Sequence, residues 1–245
     1  MGIQIIDLHK SFGEKKVLHG IDYVFEDRKV NMIIGASGSG KTVLLRCMVG
    51  LLKPEKGAIV YDGQDLAHIS YPEKRGLHQK IGMLFQSSAL FDSMTVGENV
   101  AFPMRMFSGL AGKALKERVD YCLERVNMPG TAHLYPSEIS GGMKKRVGIA
   151  RAIALNPKYL FCDEPNSGLD PKTAEVIDHL IFDITQEFGT TTVVVTHDMK
   201  SVLSTADRVM FIYKGHKEWE GERADIMHAQ SAVLVDFIKT SGLLD

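Results

Sequence analysis

Short apolar runs separated by longer amphipathic stretches set the organisation of this chain. Residues 30–34, 81–85 and 159–162 are nearly all apolar, and 191–196 are nearly all β-branched or hydroxylated β-formers. Runs of that length without polar alternation read as strands covered on both faces. Residues 3–6, 17–25 and 58–61 read as further strands, with turn signals at Ser11-Phe12-Gly13 and Pro54-Glu55-Lys56-Gly57. Residues 209–213 and 216–220 predict a hairpin with Lys214-Gly215 at its turn. Helical spacing governs about 96–126, where Leu115, Val119, Cys122, Leu123 and Val126 share a face, and also 141–154 and 171–188. Asp170 is placed to cap the last of these, Pro171 suits its first turn, and it ends at Gly189. Two short helical patterns, near 224–229 and 232–239, close the chain. Strands alternating with helices predict an α/β fold around a mainly parallel sheet. The region from about 87 to 156 is mostly helical and is expected to form a lobe within a single domain over 1–245. A short helical tail is expected from about 222 to 245.

Between the strand at 30–34 and a helical run at 43–49 lies Gly35-Ala36-Ser37-Gly38-Ser39-Gly40-Lys41-Thr42. Its spacing, G-x-x-x-x-G-K-[ST], matches a phosphate-binding loop at every fixed position. Glycines take positive φ and carry no Cβ, so the backbone can wrap a phosphate closely. Successive N–H groups at a helix start then face the anion, aided by the helix dipole. Lys41 is expected to reach the β- and γ-phosphates, and the Thr42 hydroxyl to bind Mg²⁺. A plain Gly/Ser-rich turn is the weaker reading, given the full match and its setting between strand and helix. The chain is expected to bind a nucleoside triphosphate.

Composition narrows the partners. With 245 residues, 44% of them hydrophobic, the chain can bury a sizeable core. A formal net charge of −1 argues against nucleic-acid binding driven by global charge. Cys47, Cys122 and Cys162 lie in apolar segments without C-x-x-C spacing, which reads as buried thiols in a reducing compartment. No apolar run approaches the length of a membrane span, and the N-terminus lacks the features of a signal peptide. Ile6 argues against myristoylation at Gly2. The protein is therefore expected to be soluble and to reach any membrane through a partner.

Three more segments narrow the chemistry. The apolar strand at 159–162 runs into Asp163 and Glu164. Asp163 can hold Mg²⁺ directly or through water, and Glu164 can polarise an attacking water as general base. Two acids at a strand end can also merely solvate a turn; after a phosphate loop the functional reading prevails. Ser140-Gly141-Gly142 precedes a helix, either as a plain cap and turn or as an anion site of paired N–H groups and a hydroxyl. His197 follows the strand at 191–196, at the edge where ligands bind in such sheets. Alternatively, Asp198 caps the next helix and His197 is only exposed.

In this order, from about residue 3 to 221, these segments closely resemble the ATPase subunits of ATP-binding cassette (ABC) transporters. The resemblance implies a P-loop NTPase fold of the ABC type, with a parallel core sheet, an antiparallel β subdomain and a helical subdomain. It implies that Phe12 stacks on adenine and that Gly35, Ala36, Ser37, Gly38, Ser39, Gly40, Lys41 and Thr42 form the Walker A loop. Gln86 becomes the Q-loop residue that senses Mg²⁺ and the attacking water, and Ser140, Gly141 and Gly142 the signature motif. Asp163 and Glu164 become Walker B and the base, Ser167-Gly168-Leu169-Asp170 the D-loop, and His197 the switch histidine on the γ-phosphate. The catalytic set implied is Glu164, His197, Gln86 and Lys41; the Mg²⁺ set is Thr42, Gln86 and Asp163; the ATP contacts include Asp170. In this family the signature binds the γ-phosphate held by the other subunit's Walker A loop, so a homodimer is implied. The family usually has Gln where this chain has Met143, and a methionine cannot supply an amide's hydrogen bonds.

The stretch from Phe85 to Pro103 resembles the corresponding part of the Mla/Mce-type phospholipid transport ATPases, as does Met143-Lys144-Lys145-Arg146. That resemblance implies a peripheral subunit on the cytoplasmic face of the cell membrane, bound to an integral membrane permease and, further out, an Mce-domain lipid-binding protein. An ATPase for an amino acid or other small polar solute is the nearest rival. A regulatory cassette that transports nothing keeps the same motifs. Leu90, Phe91, Met94, Val96, Phe102, Met104, Met106 and Phe107 exceed what one small lobe needs, so a mixture of lobe core and partner groove is expected.

Overall fold

A computed structural model describes residues 2–242. In chain order the strands are β1 (Ile3–Phe12), β2 (Lys15–Phe25), β3 (Val30–Ile34), β4 (Lys56–Tyr61), β5 (Gln64–Asp65), β6 (Ile81–Leu84), β7 (Tyr159–Asp163), β8 (Thr191–Thr196), β9 (Arg208–Tyr213) and β10 (His216–Glu222). The helices are α1 (Lys41–Met48), α2 (Tyr71–Gln79), α3 (Val96–Phe107), α4 (Gly112–Arg125), α5 (Gly141–Ala152), α6 (Pro171–Phe188), α7 (Met199–Thr205) and α8 (Ala232–Thr240). The chain divides into two compact units, residues 1–75 with 191–245, and residues 76–190.

The first unit holds two sheets. One is antiparallel, in the order β2-β1-β4-β5, and β1 alternates buried and exposed residues over Ile3–Ile6 as a one-sided sheet requires. In the other, β3 lies parallel to both β8 and β9, and β10 pairs antiparallel to β9. Every residue of β3 and β8 is buried. Asn31, the one amide in that core strand, donates to the carbonyls of Glu26 and Lys29 at 2.9 and 3.1 Å and accepts from Glu26 N at 2.8 Å. Those bonds satisfy a polar group that would otherwise be costly to bury.

In the second unit β6 and β7 pair in parallel, with Ile81 opposite Tyr159 and Leu84 opposite Cys162. The lobe expected at about 87–156 contains α3, α4 and α5. The single helical stretch expected over about 96–126 is two helices, broken at 108–111, where Gly109 has φ +68. A capping box fixes the start of α3: Thr95 Oγ1 accepts from Glu98 N at 3.2 Å, and Glu98 Oε2 accepts from Thr95 N at 2.9 Å. As the sequence predicts, Asp170 caps α6, Pro171 opens it, and Gly189 ends it in the left-handed conformation. Helix α2 escapes the pattern because it buries none of its residues and so carries no apolar stripe. The expected strand at 3–6 extends to Phe12, through irregular register with β2 that breaks its alternation. The tail region from 222 contains a 3₁₀ turn (Arg223–His228) and α8. Its last three residues, 243–245, lie outside the described residues.

Candidate functional site

The phosphate loop leaves β3 and enters α1 as expected. Its three glycines, Gly35, Gly38 and Gly40, have φ of +151, +78 and +109. A Cβ on Gly35 would stand 2.3 Å from Ile212 O, and one on Gly40 would stand 2.9 Å from Leu18 Cδ2. The loop is also held from a side no motif announces. Gly215 N donates to Ser39 O at 3.0 Å, and His19 N donates to Gly215 O at 3.0 Å. The Lys214-Gly215 turn is thus both a hairpin turn and a buttress between β2 and the loop. Gly215 is required there, since its Cβ would lie 2.2 Å from Val17 O.

Lys41 is only 5% exposed, and its ammonium donates to Gly35 O at 2.8 Å and Ala36 O at 3.1 Å. The lysine therefore curls back over its own loop. Gly40, at the N-cap of α1, carries no side chain to bond into the first turn, and a helix start favours an anion. Ser39 Oγ is buried without a hydrogen-bond partner. An orphaned hydroxyl, a cation and glycines with no room for a Cβ fit a polyphosphate. Parallel register sets Ile34 beside Thr196, so the phosphate loop and His197 leave neighbouring strands at the same edge. His197 is exposed, while Asp198 Oδ1 accepts from Lys200 N at 2.8 Å and caps α7. Phe12 ends β1 with 49% of its surface exposed, Lys10 Nζ standing 5.2 Å from its ring centre.

The second unit gathers another set in the same way. Because Leu84 lies opposite Cys162, Gln86 and the pair Asp163 and Glu164 emerge together at the carboxyl ends of β6 and β7. Asp163 is 2% exposed. Glu164 takes φ +48, a left-handed conformation uncommon for a residue with a side chain, at the bend that ends β7. Its carbonyl accepts from Ser167 N at 3.1 Å, and Gln86 Nε2 donates to Ser167 Oγ at 3.3 Å. Gln86, Glu164 and the start of the D-loop are therefore one connected group. Asp163 and Gln86 offer a carboxylate and an amide oxygen in this group, and Thr42 offers a hydroxyl in the phosphate loop of the first unit; hard oxygen donors of this kind suit Mg²⁺. Among the described residues no cluster of three or more His, Cys, Asp or Glu could hold a metal unaided.

Ser140 caps α5, its hydroxyl accepting from Met143 N at 3.3 Å, and Ser140 and Gly141 are both exposed. The two glycines differ. A Cβ on Gly142 would meet Thr173 Cγ2 at 2.7 Å, so packing against α6 demands that glycine. On Gly141 the nearest neighbour would be Leu169 Cδ2 at 4.0 Å, and packing demands nothing. Asp170 accepts from the Thr173 hydroxyl at 2.5 Å and from Thr173 N at 3.0 Å, and these bonds, the hydroxyl's first, lower the Asp170 pKa.

Residues to which the sequence reading assigned no such role hold this second group and the loop that follows Gln86 in place. Lys145, on α5, is 4% exposed; its ammonium donates to Gln86 O and, at 3.2 Å, to Glu164 O. Burial lowers the Lys145 pKa, opposed by the nearby Cys162, Glu164 and Asp163. Arg151, one residue from the end of α5, donates to Ser88 O at 2.6 Å and Ala89 O at 2.7 Å. Ser88 and Ala89 both have positive φ, +62 and +46. Asn99 is fully buried; its amide donates to the carbonyls of Phe91, Met94 and Thr95, and its oxygen accepts from Phe91 N at 2.8 Å. Lysine, arginine and asparagine on helices carry no local signal for such roles.

The apolar residues after Gln86 divide as expected into core and surface. Val96 and Met104 are fully buried, whereas Phe91, Met106 and Phe107 are 41%, 55% and 37% exposed. Phe91 and Phe102 meet with ring centres 4.9 Å apart and line a groove of about 410 Å³ with Met83, Phe85, Pro103 and Leu155.

A phosphate loop between a buried parallel strand and a helix defines a nucleoside-triphosphate-binding α/β protein. A family model for ABC transporters matches residues 18–167. The methionine import ATP-binding protein MetN of Desulfitobacterium hafniense is 44% identical over 209 residues, which are 85% of this chain and 61% of that protein. The intermembrane phospholipid transport system ATP-binding protein MlaF of Haemophilus influenzae is 38% identical over 97% of this chain and 90% of its own length. The solved dimer of the ATP-binding cassette MJ0796, in a post-hydrolysis state with ADP and Pi, superposes with a TM-score of 0.82 at 30% identity. It is matched over 90% of this chain and 98% of its own. The chain belongs to the ABC transporter family and is one of its ATPase cassettes.

Proposed function

We propose that this chain is the ATP-hydrolysing subunit of a bacterial ABC transporter for phospholipid, working as a homodimer on the cytoplasmic face of a membrane permease. For hydrolysis, the observation that carries the reading is the group at the ends of β6 and β7: buried Asp163, Glu164 at a bent strand end, and Gln86 tied to the same turn. When bound, ATP would supply the phosphoryl group and Mg²⁺ would offset its charge. The Walker A loop with Lys41 holds the β- and γ-phosphates, and Phe12 offers its exposed ring to adenine. Thr42, Gln86 and Asp163 are the residues that would hold Mg²⁺. Glu164 takes a proton from the attacking water, and His197 steadies the γ-phosphate.

Ser140 and Gly141 are exposed at the start of α5, and Gly141 has no packing reason to be glycine. Both facts support binding of a second copy's γ-phosphate there, so that ATP joins two subunits and hydrolysis parts them. Support for phospholipid comes from the segment 85–103 and from the relative named for phospholipid transport. The exposed groove of Phe85, Phe91 and Phe102 suits a short permease helix, and an Mce-domain protein would complete such a system. Methionine import is the second reading, favoured by the 44% identity to the methionine import protein. Purification of the chain with its native permease, followed by mass spectrometry of bound lipid and by a methionine-binding assay, decides between them. Lipid enrichment with no methionine binding supports the first reading; methionine binding without lipid enrichment overturns it.

A further inference from the structure

We propose that Lys145 is a positioning residue for ATP hydrolysis, tying the backbone of Gln86 and of Glu164 to the helix that begins at Ser140. The inference rests on the reading of Glu164 as general base. It starts from a cation placed where cations are expensive. Lys145 is 4% exposed, and its ammonium donates to two neutral carbonyls, those of Gln86 and Glu164. Burying an ammonium is costly unless its donors are used. An apolar side chain would fill a packing position at less cost, so the donors themselves are what this position uses.

The two carbonyls belong to the residues whose side chains carry the chemistry. Glu164 O is the pivot of a strained bend, φ +48, and it also accepts from Ser167 N at 3.1 Å. Gln86 Nε2 reaches Ser167 Oγ at 3.3 Å and completes a ring of four residues: Lys145, Gln86, Ser167 and Glu164. One ammonium thereby fixes the backbone points from which the amide and the carboxylate extend. Lys145 stands just over one turn beyond Ser140 and Gly141 on a continuous helix. A shift at the start of α5 therefore reaches Gln86 and Glu164 through a single side chain. Arg151 repeats the device on Ser88 and Ala89, holding the next bend of the same loop.

The test compares Lys145→Met, which keeps length and removes the donors, with Lys145→Arg, which keeps them, alongside Glu164→Gln in the full chain. ATP turnover, binding of a fluorescent ATP analogue and thermal melting are measured on each. The expectation is that K145M lowers kcat at least tenfold while the analogue's Kd changes less than threefold, and that K145R recovers most of kcat. A K145M kcat within tenfold of wild type overturns the proposal. So does a loss that K145R fails to repair, or one in which Kd and melting temperature fall in step, because a packing role alone would then suffice. Should K145M not fold, K145Q takes its place under the same criteria. An inactive E164Q beside a K145M of wild-type rate removes the Lys145 role alone; an E164Q of wild-type rate removes the reading of Glu164 as base.

Discussion

At Gly35 an added methyl would stand 2.3 Å from Ile212 O, on a backbone with φ +151. Gly35→Ala is expected to cost about 1–3 kcal/mol from strain at a glycine-only conformation, and to weaken ATP binding more than it lowers stability. Urea unfolding and titration with an ATP analogue check the two effects separately. Gly141→Ala meets no such clash and should leave the melting temperature unchanged while lowering turnover, because the side it faces is open. Gly142→Ala, aimed at Thr173 Cγ2 2.7 Å away, should lower both. Glu164→Gln keeps the shape of the site and removes the base. It should reduce kcat at least 100-fold, within the range for a general base, while ATP binding survives; a rate near wild type would show that another group accepts the proton.

At the scale of elements, the strand-end group owes its geometry to β6 and β7 and its fixity to α5, while Asn99 holds the loop at 91–95 that follows. Replacing Asn99 with Ala deletes one acceptor and one amide nitrogen with its two donors in a fully buried setting. The expected cost is about 2–4 kcal/mol, larger than a surface change because the backbone groups at 91, 94 and 95 lose their partner. Hydrogen exchange should show those residues opening first. Replacing Arg151 with Met frees Ser88 O and Ala89 O and should raise exchange across 87–95 while β3 and α1 stay protected. Equal loosening of both regions would mean that Arg151 matters to general packing rather than to that bend.

Over the whole molecule the three thiols report burial. Burial raises the Cys162 pKa to about 12 and those of Cys47 and Cys122 to about 11, from an ordinary value of 9.0. All three are expected to resist alkylation at pH 8 in the native protein and to react promptly in denaturant, since only the thiolate attacks. The stability effect follows the same displacement. Above about pH 9 the unfolded chain loses thiol protons that the folded chain keeps. Stability is therefore full below that pH, and falls as pH rises from 9 towards 11, by up to about 1.4 kcal/mol per pH unit for each thiol. A urea midpoint that stays constant from pH 8.5 to 10.5 would contradict the burial. Assembly belongs to this scale as well: with ATP and Mg²⁺ the E164Q protein is expected to elute as a dimer, and Ser140→Arg to keep it monomeric. Dimer formation by the S140R/E164Q protein would place the joining phosphate contact elsewhere.

Much of the site could be read in advance because its information is local. The G-x-x-x-x-G-K-[ST] spacing needs only a strand before it and a helix after it, and both are written in adjacent residues. Asp163-Glu164 and His197 follow apolar strands directly, so strand direction alone puts them at carboxyl ends. What joins distant residues escaped that reading. Gly215 against Ser39, Lys145 against Gln86, and Arg151 against Ser88 and Ala89 are pairs 59 or more positions apart, and Lys145 reaches Glu164 across 19. A hydrogen bond to a backbone carbonyl leaves no side-chain partner to look for. The sequence by itself determined the kind of chemistry and the strands that present it, because motif and strand period are short-range properties. Only the tertiary structure decided which glycines are forced by contact and which buried cations brace the reacting groups, because those depend on surfaces that meet after folding.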